Sequence, residues 1–401
     1  MNLELNDDQQ LLLDTVDSAV GRDYPTGGRA AATSSVLGWN ARVWTTLVEL
    51  GLTGLTIDED HGGVGAGPAE LYATLEALGR HAAAEPLLDA VALPGWLIAA
   101  LGQPDQLTGL LGPLAAGDAV VAVAHAEPTH AWDTAPTTAI TTREDGVVTI
   151  SGVKAPVLHA DQATSYLVTG TDANSSMRVA LVEAGADGIT RADGRTGDWT
   201  HASQVTFSDT PATLLGDADS DAVAAVRDAF ARARIAATAE AVGLMESGLA
   251  LTVDYLKNRR QFGVPLSTFQ ALVHRAADLY ATVELARSMA LHATALAEYA
   301  GSAQRADVDL TQVADDAFVY VGDAAIAVAE EIIQLHGGIG MTYESEVGHH
   351  AARLVGLTTN HGGLAAARRR AVASDAVLRS PSALVNNADP AVVAERDVVG
   401  V

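Results

Sequence analysis

The chain has 401 residues, of which 48% are hydrophobic and only 4% aromatic, and its formal net charge is -26. The length predicts two or three domains, and the acidic balance argues against nucleic acid or an anionic membrane surface as partner, because like charges repel. There is no cysteine, which excludes disulfides, thiolate chemistry and cysteine-ligated metals, and no metal site is predicted.

The chain starts with an acidic stretch, MNLELNDDQQ, that lacks the basic and then apolar pattern of a secretory leader. No apolar run approaches the roughly 20 residues that a membrane span requires. We therefore expect a soluble, cytoplasmic protein without a membrane partner.

Residues 1–117 have the pattern of a helical domain. The first helix is expected to start at Asn6 or Asp7, because an N-cap residue precedes apolar residues at helical spacing. These apolar residues are Leu11, Leu12, Val16 and Val20. The later segment DEDHGGVGAG has too many glycines for regular structure. Such a segment is more often a surface turn than a phosphate-binding loop.

Residues 118–218 change to short β-prone runs separated by turns, such as AVVAVAHA, SYLVTG and MRVALVEA. Asp145 and Gly146 lie between two such runs and predict a hairpin turn. The pattern predicts an antiparallel β domain or barrel inserted between two helical domains.

Residues 219–379 return to helical periodicity. The first helix carries an apolar stripe that recurs every seven residues and ends before Pro265. Its members are Ile235, Val242, Leu249 and Leu256. A second helix follows Pro265, a third runs from Val308 to His336, and a fourth runs from Glu346 to Ala373. Four antiparallel helices with short connections predict a bundle.

The end of the third helix and the end of the chain carry separate predictions. Gly337 and Gly338 follow the third helix and are typical of a helix C-cap. Residues 380–401 lack a clear period and are predicted to form a loose tail or an arm between subunits.

The joint between the first two bundle helices reads YLKNRRQFGVPLSTFQ. Arg259 and Arg260 lie in the last turn before the break, where cations suit the helix dipole and can reach an anion. Phe262 adds a flat apolar face, and Ser267 with Gln270 predicts a capping box whose helix N-terminus suits an anion. The joint favours a pyrophosphate-bearing cofactor with a ring system, although such helix ends are also common without a ligand.

Together with the later stretch EIIQLHGGIGMTYESEV, this joint resembles the C-terminal domain of acyl-CoA dehydrogenases. The family pattern is Arg-x-x-Phe-Gly, then Phe-Gln, then Gln-x-x-Gly-Gly-x-Gly. The matching residues are Arg259, Phe262, Gly263, Phe269, Gln270, Gln334, Gly337, Gly338 and Gly340. The resemblance extends in weaker form over nearly the whole chain.

The resemblance implies an α+β fold with an N-terminal helical domain, a middle antiparallel β-barrel domain and a C-terminal four-helix bundle, the order that the periodicities also predict. It implies FAD as cofactor, an acyl-CoA thioester as substrate and electron-transfer flavoprotein as electron acceptor. Members of this family usually form tetramers. Their reaction is α,β-dehydrogenation, in which a carboxylate takes the α-proton while the β-hydride moves to the flavin.

The resemblance also implies roles for single residues at a cofactor site between two chains. Arg259 would pair with the FAD pyrophosphate, Phe262 would pack on the cofactor, and Gln270 would hydrogen-bond near it. The neighbouring chain would supply a glutamine and a glycine-lined helix end, which are Gln334, Gly337 and Gly338. The alternative interpretation is purely structural: Gln270 belongs to a capping box, and Gly337 and Gly338 form a helix C-cap.

Arg234 matches a family arginine that lines the acyl-CoA site, and the alternative for this residue is a solvated helix face. The catalytic carboxylate is missing at both usual family positions, which fall on His361 and Ala233. His361 is a candidate base because imidazole titrates near neutrality, although a histidine beside two glycines is more often a turn residue. Glu240, two turns beyond Ala233 on nearly the same helix face, is the second candidate.

The β domain departs from the family as well, because Ala155 and Pro156 stand where many members have an aromatic cover for the flavin. Three hypotheses follow. The first is an acyl-CoA dehydrogenase with a relocated base. The second is a non-catalytic partner subunit in a heterotetramer with a homologous chain, and the third is a flavin-dependent monooxygenase with the same fold.

Overall fold

The structure is a computed structural model that describes residues 5–25, 27–132, 135–217, 221–300 and 308–373. The N-terminal part is helical. Its helices are α1 (Asp7–Asp23), α2 (Gly28–Ser34), α3 (Ala41–Glu49), α4 (Pro68–Arg80), α5 (Leu93–Leu101) and α6 (Pro104–Ala115). The predicted start of α1 is confirmed, because Asn6 caps the helix and exchanges hydrogen bonds with Gln9.

Strands follow in the middle part. They are β1 (Val121–Ala124), β2 (Ala139–Thr142), β3 (Val148–Leu158), β4 (Ser165–Thr171), β5 (Met177–Glu183), β6 (Ile189–Arg195) and β7 (His201–Leu214). The pairs β2–β3, β3–β7, β7–β5, β5–β4 and β4–β2 close a barrel. The predicted hairpin at Gly146 joins β2 to β3, and its φ of 83° suits glycine.

The barrel is confirmed, but its pairing is not wholly antiparallel. β1 runs parallel to β4, with Val121 opposite Ser165, and β2 meets β4 in one parallel pair at Ala139 and Thr171. β6 lies on the edge of β7. Local turn signals reveal hairpins, whereas a parallel pair joins strands that are far apart in sequence and leaves no such signal.

The C-terminal part is a helical bundle. Its helices are α7 (Val223–Asn258), α8 (Gln270–Tyr299), α9 (Leu310–His336), α10 (Glu346–Leu357) and α11 (Gly363–Ala373). The prediction of one fourth helix from Glu346 to Ala373 is wrong. The helix breaks at residues 358–362, because His361 and Gly362 adopt positive φ values of 51° and 99°, which an α-helix does not accommodate.

The predicted capping box at Ser267 is also wrong. Ser267 lies in a 3-10 turn, Leu266–Thr268, and α8 begins two residues later than that cap requires, with Phe269 at its N-cap and no side-chain cap. The hydroxyl of Thr268, the next residue in this turn, donates to the carbonyl of Pro265 at 2.8 Å.

The α1–α6 region and the bundle share one apolar core, and the barrel encloses a second. Much of the shared core is alanine and leucine, in keeping with the low aromatic content. None of the described helices is long and apolar enough to cross a membrane. The predicted tail, residues 380–401, lies outside the described residues.

Candidate functional site

A cavity of about 140 Å³ lies where the three parts of the chain meet. The N-terminal part contributes Asp89 and Leu93, the barrel contributes Pro156, and the bundle contributes Phe230 and His361. An apolar cavity with a few convergent polar groups is typical of a small-molecule site. We therefore take this cavity as the candidate active site.

His361 lies in the break between α10 and α11, with a φ of 51°. Its side chain is only 4% exposed, and its Nε2 is 2.8 Å from Oδ1 of Asp89. Its Nδ1 is buried and has no hydrogen-bond partner in the part of the chain that the structure describes. Left-handed backbone is uncommon for residues other than glycine and is concentrated at functional sites. The structure thus brings one of the two candidate bases into the cavity.

Sequence reasoning missed Asp89. The residue lies on a π-helical turn, Leu88–Ala92, that leads into α5, and such turns are frequent at functional sites. Burial opposes ionisation of this carboxyl, but the hydrogen bond and charge of His361 outweigh it, so the pKa of Asp89 is lowered. The sequence carries one signal for it, a single acidic residue within the apolar run PLLDAVALPGW.

Glu240 is not among the residues that line the cavity. Arg353 holds both of its carboxylate oxygens, with Nε–Oε1 and Nη2–Oε2 distances of 2.6 and 3.0 Å. Arg353 also contacts Asp198 at 3.0 Å, and Asp198 contacts Arg29 at 3.1 Å. These four buried charges join all three parts of the chain. Because Glu240 serves a buried ion pair away from the cavity, we do not retain it as a candidate base.

Arg234 is buried on α7 and lines a second cavity, of about 290 Å³. It is not on a solvated helix face. Its Nε lies 3.1 Å from Oδ1 of Asp315, and its Nη1 donates to the backbone carbonyl of His361 at 3.3 Å. Arg234 therefore holds the loop that carries His361, and its contact with substrate remains a prediction.

Three aromatic side chains separate the two cavities, because His125, Trp132 and Phe230 line both. Their ring centroids lie 4.6, 5.0 and 4.8 Å apart. The Trp132 ring also packs against Gly362, where an added Cβ would come within 2.8 Å of it. Through Trp132, these three rings thus contact the backbone beside His361.

The barrel side of the cavity is braced by a buried ion pair. Nζ of Lys154 lies 2.8 Å from Oε1 of Glu127, and the other oxygen of Glu127 accepts from the backbone of Thr137 at 2.8 Å. Burial lowers the pKa of Lys154 to about 8, although Glu127 opposes the shift. The pair fixes the loop after β1, which carries Trp132.

The residues predicted to hold a cofactor lie elsewhere, at the joint between α7 and α8. Arg259, Phe262 and Gln270 are all exposed there. Phe262 is 90% exposed, in the turn between the short strands β8 (Arg260–Gln261) and β9 (Val264–Pro265). An exposed aromatic ring beside a cation fits a ligand or partner better than a core position.

The second predicted motif lies beside the first in the same chain. The ring of His336 at the end of α9 stacks on Tyr255 near the end of α7, with centroids 4.5 Å apart. Gln334, Gly337 and Gly338 are exposed at this helix end. Gly337 caps α9 as predicted, with a φ of 66°. At Gly338 an added Cβ would meet no atom within 4 Å, so packing within the described chain does not require glycine there.

Comparison with known proteins matches both helical parts. The model of the acyl-CoA dehydrogenase N-terminal domain matches residues 6–118, and that of the C-terminal domain matches residues 223–375. FadE28, an acyl-CoA dehydrogenase of Mycobacterium tuberculosis (strain ATCC 25618 / H37Rv), is 29% identical over 369 residues, which cover 90% of this chain and 96% of the relative.

Two solved structures extend the similarity to the whole fold. The Tcur3481-Tcur3483 steroid ACAD is 28% identical, with a TM-score of 0.79 and coverage of 91% of this chain and 96% of its own. The ChsE4-ChsE5 complex from Mycobacterium tuberculosis is 23% identical, with a TM-score of 0.82 and coverage of 95% and 100%. With its helical, barrel and bundle parts in the order of that fold, the chain belongs to the acyl-CoA dehydrogenase family, whose members are flavoprotein oxidoreductases.

Proposed function

We propose that this chain catalyses FAD-dependent α,β-dehydrogenation of an acyl-CoA thioester, with His361 in place of the carboxylate that the family uses as base. One observation carries the proposal: Nδ1 of His361 is buried at the three-part junction without a partner in the described chain. A buried polar atom without a partner costs about 1–3 kcal/mol. A substrate that brings an acidic α-proton to Nδ1 relieves that cost.

The surrounding residues support proton removal. Leu93 and Phe230 contribute apolar walls to the cavity, and low polarity around the reacting atoms strengthens any charge interaction with the enolate that forms. Arg234 donates a hydrogen bond to the backbone carbonyl of His361 and so holds that residue in place. A base held in one orientation lowers the entropy cost of reaching the reactive geometry.

The cofactor is proposed to contact the exposed end of the bundle. Arg259 suits the pyrophosphate, Phe262 suits a ring face, and the open helix end at Gly338 lets backbone approach closely. Gln270, Gln334 and Gly337 complete this surface. The resemblance implies that these two motifs come from different chains. Because Tyr255 and His336 bring them together at one end of a single chain, we propose instead that one protomer presents both motifs to the cofactor of its neighbour. When bound, FAD accepts the β-hydride of the substrate.

The test is anaerobic mixing of the purified protein with acyl-CoA esters of different chain and ring structure. We expect a yellow protein whose flavin absorbance bleaches. His361→Ala should slow bleaching by roughly 10²- to 10⁴-fold, the usual contribution of a general base. His81→Ala is the matched control, because His81 also pairs with an aspartate but lies outside the cavity. Full turnover in His361→Ala would remove this residue from the mechanism.

A second candidate function is a partner subunit in a heterotetramer with a homologous chain. It is favoured by the exposed cofactor surface, which lies apart from the junction cavity, and by similarity to a structure described as a ChsE4-ChsE5 complex. In that case the protein purifies colourless, and flavin and activity appear only after mixing with a homologous partner. A yellow protein active by itself contradicts this candidate.

Electron-transfer flavoprotein is the proposed electron acceptor. It should reoxidise the bleached protein faster than dissolved oxygen does. Rapid oxygen consumption with a substrate that lacks CoA would instead support the monooxygenase hypothesis.

A further inference from the structure

We infer that Asp89 is the positioning residue that fixes His361 in its Nε2–H tautomer and so makes Nδ1 the proton-accepting atom. The inference rests on the proposed function for its catalytic meaning, but its structural content can be tested without substrate or cofactor. It concerns a residue that neither the sequence motifs nor the similarity to known proteins single out.

The tautomer follows from the chemistry of the two partners. A neutral imidazole has one N–H donor and one bare acceptor nitrogen, and an ionised carboxylate only accepts. Oδ1 of Asp89 lies 2.8 Å from Nε2, so the proton of a neutral His361 must be on Nε2. The lone pair is then left on Nδ1, the atom without a partner in the described residues.

Asp89 is well placed to stay ionised. Its side chain is 9% exposed, and its electrostatic surroundings from other elements include His159 after β3 and Arg353 on α10, in addition to His361. Burial opposes ionisation of the carboxyl, but the hydrogen bond from His361 and the charge of Arg353 favour it, and the pKa of Asp89 is lowered. The carboxylate of Asp89, held beside Nε2, also stabilises the imidazolium that forms when Nδ1 takes a proton.

Both partners are held by regular structure or by packing. Asp89 lies on the π-helical turn before α5, and the backbone of His361 accepts from Arg234. Trp132 packs on the next residue, Gly362. Neither side chain has to be ordered by the substrate, so the pair is preorganised.

The proton step is balanced within these groups. The α C–H bond of the thioester breaks, its proton goes to Nδ1, and its electron pair stays on the thioester as the enolate. The resulting imidazolium donates through Nε2–H to Asp89, which keeps its charge. When the proton on Nδ1 is replaced by a solvent hydrogen, that hydrogen returns to the α-carbon and the starting state is regenerated. This exchange involves no change of oxidation state and therefore no electron acceptor.

The test has two readouts. Nitrogen NMR of protein labelled at histidine, with His361→Gln used to assign the signal, should show a single Nε2–H tautomer for His361. Asp89→Asn should shift this tautomer balance, because its amide can donate to Nε2 as well as accept from it. The same variant should slow exchange of the acyl-CoA α-hydrogen in D₂O by roughly 100-fold and shift the pH profile of exchange.

Asp17→Asn is the matched control. Asp17 also accepts from a histidine Nε2, that of His81 at 3.0 Å, but at a more exposed site outside the cavity. It should leave exchange and the His361 signal unchanged. If Asp89→Asn does not fold, the wild-type spectrum still shows which nitrogen of His361 carries the proton.

The outcomes separate the two proposals. A wild-type His361 with its proton on Nδ1 overturns the inference whatever the activity. Measurable wild-type exchange that stays equally fast in Asp89→Asn overturns it as well. A fixed Nε2–H tautomer without any acyl-CoA exchange supports the positioning by Asp89 while contradicting the proposed function.

Discussion

At the scale of single residues, the candidate site depends on one contact, that of Nε2 of His361 with Oδ1 of Asp89 at 2.8 Å. The position of His361 follows from counting along a motif in one segment, whereas Asp89 is 272 residues away and meets it only in the folded chain. Glu240 shows the opposite failure. The sequence made it a candidate base, but its partner Arg353 lies on another helix and no local pattern reveals the pair.

The buried pair of Glu240 and Arg353 gives a stability prediction. Arg353→Met removes the cation and leaves Glu240 without a cationic partner in a buried site, while Asp198 keeps Arg29 as its cation. We expect a loss of about 3–5 kcal/mol in the free energy of unfolding, the usual cost of breaking a buried ion pair from one side. Denaturant unfolding followed by circular dichroism measures it.

Arg42→Met is the control for that experiment. Arg42 is 85% exposed and lies 4.0 Å from Asp23, so its loss should change the free energy of unfolding by less than about 1 kcal/mol. Equal effects of the two variants would show that the buried charges contribute nothing specific.

At the scale of elements, those with local signals were predicted best. Asn6 at the start of α1 and Gly146 between β2 and β3 act on residues next to them, so short patterns suffice. His361 beside two glycines was considered as a turn residue, but the fourth helix was still predicted to run through it, because helical periodicity continues on both sides of the break. The loop there is held by distant groups, Arg234 and Trp132, which a local reading does not include.

The helix α10 carries a buried histidine that makes stability depend on pH. His350 donates through Nδ1 to the carbonyl of Glu346 at 3.0 Å, and its Nε2 meets the hydroxyl of Ser247 at 3.1 Å. Burial lowers the pKa of His350 to about 4, against a usual value near 6.5. The unfolded chain thus binds the proton more tightly, so this contribution is complete above about pH 6.5 and is lost as the pH falls towards 4.

His350→Gln keeps a neutral polar group and should therefore flatten the acid side of the stability profile. The change from pH 7 to pH 4 should shrink by on the order of 3 kcal/mol relative to the wild type. Unfolding midpoints measured across this range test it. His130→Gln, at an exposed position, is the control, and identical slopes for wild type and His350→Gln would refute the assignment.

At the scale of the whole molecule, the periodicities gave three parts in the correct order, and the junction cavity depends on how these parts pack. Its walls come from Leu93, Pro156 and Phe230, one from each part. No segment of sequence holds the site, so its lining had to come from the structure. The cofactor motifs were recognisable because each is continuous along the chain.

The exposed end of the bundle predicts self-association or pairing with a homologous chain. Phe262→Asn removes an exposed ring while Asn tolerates the left-handed backbone there. We expect weaker association and weaker FAD retention, with an unchanged unfolding midpoint when the flavin-free, dissociated chains are compared. Light scattering and flavin absorbance measure these properties. Val36→Asn, at an apolar residue 86% exposed in the N-terminal part, should change neither, and equal effects would contradict a specific surface.

The chain of four buried charges, Arg29, Asp198, Arg353 and Glu240, has a consequence for divergence among relatives. Replacing any one of these residues leaves a neighbouring charge buried without its partner. Substitutions made one at a time therefore pass through a destabilised variant. Covariation should therefore link these four positions across homologues, with the set kept whole or replaced together by apolar residues.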